Sequence, residues 1–342
     1  MKLGDDQVEG SPAHPRAVAI ADSRVDAVVT QVFAPYALRL SEADGAALFG
    51  MLARLVADVE VDLRRLLPLG AGHSALTPSG DTLARLSGAA FFGDRELAAA
   101  LLDRIDEAAL SARLARGAQL RVVAGDSHPA LRAQYAERSA RRWDADGMPV
   151  LPLADMPEPV LRRTIARIAA AVCLGAALPV GDAAVERACA VIFARQVAAG
   201  STVAAADALA RATSGERPGT IPRALASGDL LLASACGGLS IGIAPDVVLR
   251  ALIRPDCGEL ATILRVLDLN REVAARTIFA AVASAPAYTA AAAARMTALI
   301  AEFDALDVEA ARRRLHAPSD RENYWSARVA LDTGRRERAA FG

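Results

Sequence analysis

Lysine is almost missing from this 342-residue chain: Lys2 is the only one, and arginine supplies every other fixed positive side-chain charge. That excludes a P-loop lysine or a Schiff-base lysine inside the fold. Aromatic residues make up only 4%, and β-branched runs bounded by turn residues are scarce, which speaks against a sheet protein. The four cysteines, Cys173, Cys189, Cys236 and Cys257, stand far apart and form no C-x-x-C pair. They read as small buried hydrophobes in a reducing compartment. The four histidines, His14, His73, His128 and His316, each stand alone, without the paired His/Cys spacing a zinc site uses. G-x-G-x-x-G does not occur, and the single G-x-S-x-G spacing, Gly238-Leu239-Ser240-Ile241-Gly242, has no strand ahead of it to form a nucleophile elbow. No catalytic residue, cofactor or metal site is therefore expected.

What is present is apolar and helix-forming. Apolar types reach 53%, mostly alanine, against 23% charged, and alanine has the best intrinsic helix propensity. The formal net charge of −1 gives the whole molecule no field that would draw in a polyanion. An almost lysine-free, arginine-based positive charge reads either as genomic bias or as a surface suited to bidentate carboxylate and phosphate contacts. Segment 1–15 carries Asp5, Asp6 and Glu9 without an apolar core, so it resembles neither a secretory signal nor a basic transit peptide. The uncharged stretches 168–180, 230–245 and 277–294 are short, glycine-broken or only weakly hydrophobic. The expectation is a cytoplasmic protein with buried helices and no membrane contact.

Helix starts recur along the chain as Asp or Ser ahead of an apolar pattern. A helix is expected over 16–33. Ser41 stands at an N-cap with Glu42 and Asp44 in the first turn, and Leu48, Leu52, Leu55, Val59, Leu63 and Leu66 follow at steps of three and four. Residues 81–117 read as three short helices, with restarts at Gly93-Asp94 and at Asp106. Asp126 or Ser127 is expected to cap a helix over 129–143. Gly147, Pro149, Pro152, Pro157 and Pro159 mark 144–159 as a Pro-rich linker. The expected organisation is a disordered segment 1–15, a helical domain 16–143, the linker 144–159, a second helical domain 160–332 and a flexible tail 333–342. Gly237-Gly238 through Gly242 reads as a turn between packed helices. The restart spacing is irregular, so any repeat is degenerate.

Three stretches are similar to the DUF2336 family of uncharacterised alphaproteobacterial proteins. The first is Leu40-Ser41-Glu42 leading to Asp58-Val59-Glu60 and Arg64. The second runs from Gly228-Asp229 through Leu239-Ser240 to Leu264-Arg265 and Leu269, with Asp268 where the family has glycine. The third is Phe303-Asp304-Ala305-Leu306 ahead of Arg312-Arg313. The resemblance implies an all-α fold of stacked antiparallel helical hairpins, a HEAT-like α-α superhelix. It implies no activity and no functional residues.

Two basic clusters are the candidate interaction patches: Arg141, Arg142 and Trp143, and Arg312, Arg313 and Arg314. The carboxylates Asp58, Glu60 and Asp62 read as i,i+4 ion pairs with Arg54 and Arg64 on a solvated face; burial of that face would make them interface or metal candidates. The leading function is a non-enzymatic helical scaffold that binds a protein partner or another copy of itself. The alternatives are a nucleic-acid binder on a DNA glycosylase-like scaffold, which is not favoured, and a regulatory module with a ligand pocket between its halves.

Overall fold

The computed structural model describes residues 42–67, 80–87, 94–116, 128–175, 180–213, 217–255, 259–284 and 290–316. The expected helix over 16–33, the segment 1–15, the tail 333–342, Asp126, Ser127 and Cys257 lie outside them. Among the described residues the protein is all-α, without strands. The helices are α1 (Glu42–Leu66), α2 (Gly80–Ser87), α3 (Arg95–Arg116), α4 (Pro129–Ala140), α5 (Glu158–Leu174), α6 (Asp182–Ala199) and α7 (Thr202–Ala212). They continue as α8 (Arg217–Ser227), α9 (Leu230–Ile241), α10 (Pro245–Ile253), α11 (Leu260–Val266), α12 (Arg271–Ser284), α13 (Ala290–Ala305) and α14 (Val308–His316).

Helix α1 follows its sequence pattern. Leu48, Leu52, Leu55, Val59 and Leu63 are buried along one stripe, each contributing roughly 1.5–3 kcal/mol of apolar transfer. Glu60 departs from expectation: it is fully buried rather than solvated, and Arg64 pairs with it at 2.6 Å. Arg54 makes its ion pair with Asp144 at 2.9 Å and reaches Asp58 through its charge, against the burial that raises that carboxyl. Among the described residues no group of acids, His or Cys is placed to hold a metal ion.

Asp106 does not restart a helix. The chain runs unbroken through it as the 22-residue α3, because the apolar spacing of Leu101, Leu102, Ile105, Leu110 and Leu114 outweighs the small propensity penalty of one aspartate. This helix serves two apolar clusters. Leu97 to Ile105 pack with α1, α2, α5 and α6, whereas Leu110 and Leu114 pack with α4 and with α7 to α13. The clusters therefore part within α3, and Leu151, Leu153 and Met156 of the Pro-rich stretch are buried in the first of them.

Helix α9 is mostly apolar and packs against α7, α8 and α10, with Leu230, Leu231 and 233–238 buried. It continues through Gly237 and Gly238, which were expected in a turn. A Cβ on Gly238 would come within 2.7 Å of the Ile243 carbonyl oxygen, so bare backbone is what lets the chain fold back there. The turn comes later, at Gly242, with φ +74°.

Asp94 begins α3. Its carboxylate accepts the Leu97 amide at 3.2 Å and pairs with Arg163 at 3.2 Å and Arg167 at 2.9 Å. Burial pushes this carboxyl up, but the Arg163 bond, the Leu97 amide and the charges of Arg163 and Arg167 outweigh it, and the net shift is downward. A lowered folded-state value makes the contribution to stability fully present above the ordinary aspartate range. That contribution is lost as pH falls through the lowered value. Asp94→Asn should thus flatten the acid limb of the pH–stability curve in chemical denaturation; curves that superpose below pH 5 would refute this role.

Candidate functional site

The most polar interior region lies where the two apolar clusters meet, and α3 supplies its floor. Arg104, Glu107 and Ser111 follow each other at steps of three and four on one side of this helix. Arg104 and Glu107 are buried and Ser111 is half-buried.

Helix α4 supplies the facing wall. His128, not Asp126 or Ser127, is its N-cap residue, with left-handed backbone. The helix stops at Ala140, and its last turn carries Arg142 and Trp143 out of helical register. Asp144 then closes a tight reversal, accepting the amides of Asp146 at 2.9 Å and Met148 at 2.7 Å, with Gly147 at φ +75°. The returning segment bonds back through Val150 N–H to the Arg142 carbonyl at 2.8 Å.

That reversal turns Arg142 inward. Its guanidinium forms a two-pronged pair with Glu107, one bond at 2.7 Å, and its Nε lies 3.2 Å from Asp155. Arg142 is only 7% exposed, so it does not belong to a surface patch; the adjacent Arg141 is exposed and pairs with Glu137. Arg104 donates to the carbonyl oxygens of Val150 at 3.0 Å and Arg142 at 2.7 Å, and lies 4.6 Å from the centre of the half-buried Trp143 ring. Burial and the neighbouring Arg142 charge pull the Arg104 guanidinium down to about 10. Burial acts the same way on Arg142, but Glu107 and Asp155 more than offset it and keep that side chain charged.

The third wall is the α8–α9 turn. Gly228 has φ +76° and takes the Ser111 hydroxyl on its carbonyl oxygen. Asp229 caps α9 by accepting the Leu232 amide at 3.2 Å and also takes the Tyr135 hydroxyl proton in a hydrogen bond. Burial pushes Asp229 up, with the Tyr135 bond working against it, and burial beside Asp229 raises the Tyr135 phenol well above its usual range. Between the three walls lies a cavity of about 310 Å³.

The second expected patch lies elsewhere. Arg312, Arg313 and Arg314 are exposed on α14; Arg312 pairs with Glu309 at 2.7 Å and Arg314 with Glu302. The two basic clusters are therefore not assembled into one charged surface. Arginine is used throughout as a recognition group for the chain itself. Arg265 donates to the Leu306 carbonyl oxygen at 2.7 Å and Arg276 to that of Leu114 at 2.9 Å, each near the end of a helix. Such ends leave carbonyls without intrahelical donors, and the planar five-donor fork reaches them.

One long helix is poorly covered. On α6 only Ala188 and Ile192 are buried, while Val191 and Val197 are 39% and 59% exposed. Asp182–Ala212 is long and apolar enough by composition to cross a membrane, and only 22% of its most apolar window is buried. The helix is interrupted within that stretch: Gly200 at φ +69° ends α6, and Ser201 caps α7 through the Ala204 amide at 3.0 Å.

A scan against protein-family models, a search of curated proteins and a search of solved structures each return no match.

Proposed function

We propose that this protein is a non-enzymatic helical scaffold, HEAT-like in plan, that works by binding a protein partner or a second copy of itself through the outward face of α6. The observation that carries this is the mismatch between composition and burial on that helix: Ala188 and Ile192 face the core, but Val191 and Val197 face outward where a folded chain normally buries such residues. Glu186, Arg187 and Arg195 are exposed beside Val191 and Val197. Charges interleaved in this way suit a protein surface with a polar rim better than hydrocarbon, where each would be costly. The resemblance to the DUF2336 family supports the same helical plan and adds no functional residue. The separated and largely ion-paired basic clusters give nucleic acid no comparable footing.

Val191→Glu combined with Val197→Glu tests the proposal. Light scattering across a wide concentration range, with cross-linking, should show wild-type self-association or a retained partner that the double variant loses while its helical circular dichroism stays unchanged. A wild-type chain that stays monomeric and retains the same proteins as the variant would overturn it.

A further inference from the structure

The cavity between α3, α4 and the α8–α9 turn is lined by three hydroxyls that already donate to the protein and by one carboxylate that is only half used. The Ser111 hydroxyl donates to the Gly228 carbonyl, the Ser227 hydroxyl to the Ala224 carbonyl at 3.0 Å, and the Tyr135 hydroxyl to Asp229. Both terminal nitrogens of Arg142 donate to Glu107. The three hydroxyl protons are committed to the protein, and lone pairs are what these oxygens leave toward the cavity, whereas Arg142 keeps N–H groups beyond the two that Glu107 takes. Asp229 sharpens the asymmetry. Tyr135 and the Leu232 amide both bond to its Oδ1, and among the described residues no hydrogen bond reaches its Oδ2.

The local charge points the same way. Glu107, Asp155 and Asp229 bring three carboxylates against the two guanidiniums of Arg104 and Arg142. Trp143 lines the cavity and already holds one cation, Arg104, near its ring, the preference of an aromatic quadrupole. An anion would meet lone pairs and surplus negative charge. A neutral polyol could donate to Asp229 Oδ2 but would leave the surplus negative charge uncompensated. The cavity, at about 310 Å³, falls at the small end of the range for small-molecule sites.

We propose that this cavity binds a small ligand carrying a protonated amine, with Asp229 as its anionic partner and the hydroxyl oxygens of Ser111, Ser227 and Tyr135 as further acceptors. The site is separate from the α6 surface and does not depend on it. Because its walls come from α3 and α4 on one side and the α8–α9 turn on the other, the bound amine ties the turn to α3.

Calorimetric titration and thermal shift of the full chain with 1,4-diaminobutane and with ethanolamine test this, with succinate and glucose at matched ionic strength as comparators. The expected result is saturable binding of the amines alone, with slowed hydrogen exchange at the amides of residues 228–232. Asp229→Asn keeps a competent helix cap but removes the charge, and should weaken amine binding at least about tenfold. Ser139 lines the cavity from α4, and Ser139→Leu, which fills it without touching a charge, should also abolish binding. Removing an exposed acid by Glu309→Gln should leave it unchanged. Three outcomes would overturn the proposal: no saturable amine binding, succinate or glucose binding as tightly, or amine binding that survives both Asp229→Asn and Ser139→Leu.

Discussion

Replacing Arg142 by alanine is expected to destabilise the protein by about 3–5 kcal/mol, because it leaves Glu107 buried without the guanidinium that neutralises it. Glu107 is 7% exposed, and the Arg104 guanidinium, 3.8 Å away, is too distant to replace the lost hydrogen bonds. The measurement is urea unfolding followed by circular dichroism, where the midpoint should fall while the slope stays near the wild-type value. Arg142→Lys should not restore it. An ammonium cannot make the two-pronged contact to Glu107 while also presenting an N–H toward Asp155. Removing both charges together, as Arg142→Met with Glu107→Leu, should cost far less than Arg142→Ala alone, since an apolar pair of similar volume often matches a buried ion pair. Arg312→Ala, on the exposed surface, should hardly move the midpoint. An unchanged midpoint in Arg142→Ala would show that this pair is not buried as described.

Gly228→Ala should have a comparably large effect for a different reason. Gly228 has φ +76°, where a Cβ costs roughly 1–2 kcal/mol by itself. The added carbon would also lie 2.3 Å from the Ser111 carbonyl oxygen, on the backbone of α3, which has no flexible end to swing away. Relieving that clash means separating the α8–α9 turn from α3 and breaking the Ser111 bond. Gly242→Ala is the matched comparison. Its φ is +74°, and nothing lies within 4 Å of the added carbon, so only the backbone cost applies. Thermal unfolding of the two variants should therefore differ, with Gly228→Ala melting several degrees below Gly242→Ala. Equal melting temperatures would mean that the close approach to α3 does not hold in solution.

The helices were the legible part. Leu48, Leu52, Leu55, Val59 and Leu63 announced α1 because burial on one stripe leaves a period that any window of sequence displays. Ser201, Asp229 and Asp307 fit the general pattern of Asp or Ser ahead of an apolar run because a cap is a local device: each accepts an amide three residues ahead. Asp106 misled for the same reason, since a good cap residue inside a helix looks locally like a start. The polar junction was not legible. Arg142 follows Arg141 and precedes Trp143 in what reads as a surface cluster, and only the reversal at Asp144–Met148 turns it inward. One signal was present: Arg104 and Glu107 interrupt the apolar run of α3 between Ile105 and its neighbours on either side, as buried charges would. Their partners Arg142, Asp155 and Val150 are supplied by tertiary contact alone, at separations that no periodicity encodes.

The placement of α3 bears on how the chain gains and loses its structure. Its first half completes one apolar cluster and its second half the other, and one unbroken hydrogen-bonded ladder joins them. Melting either cluster strips one end of this helix of its packing, and a short isolated helical remnant is barely stable in water. Cutting the chain in the Pro-rich stretch would part α1 to α4 from α5 and α6, leaving the first cluster without Ile165 and Ile168 and the second without Leu110 and Leu114. The two cores are thus tied into one cooperative folding unit, and α3 is the element through which a loss of order in one reaches the other.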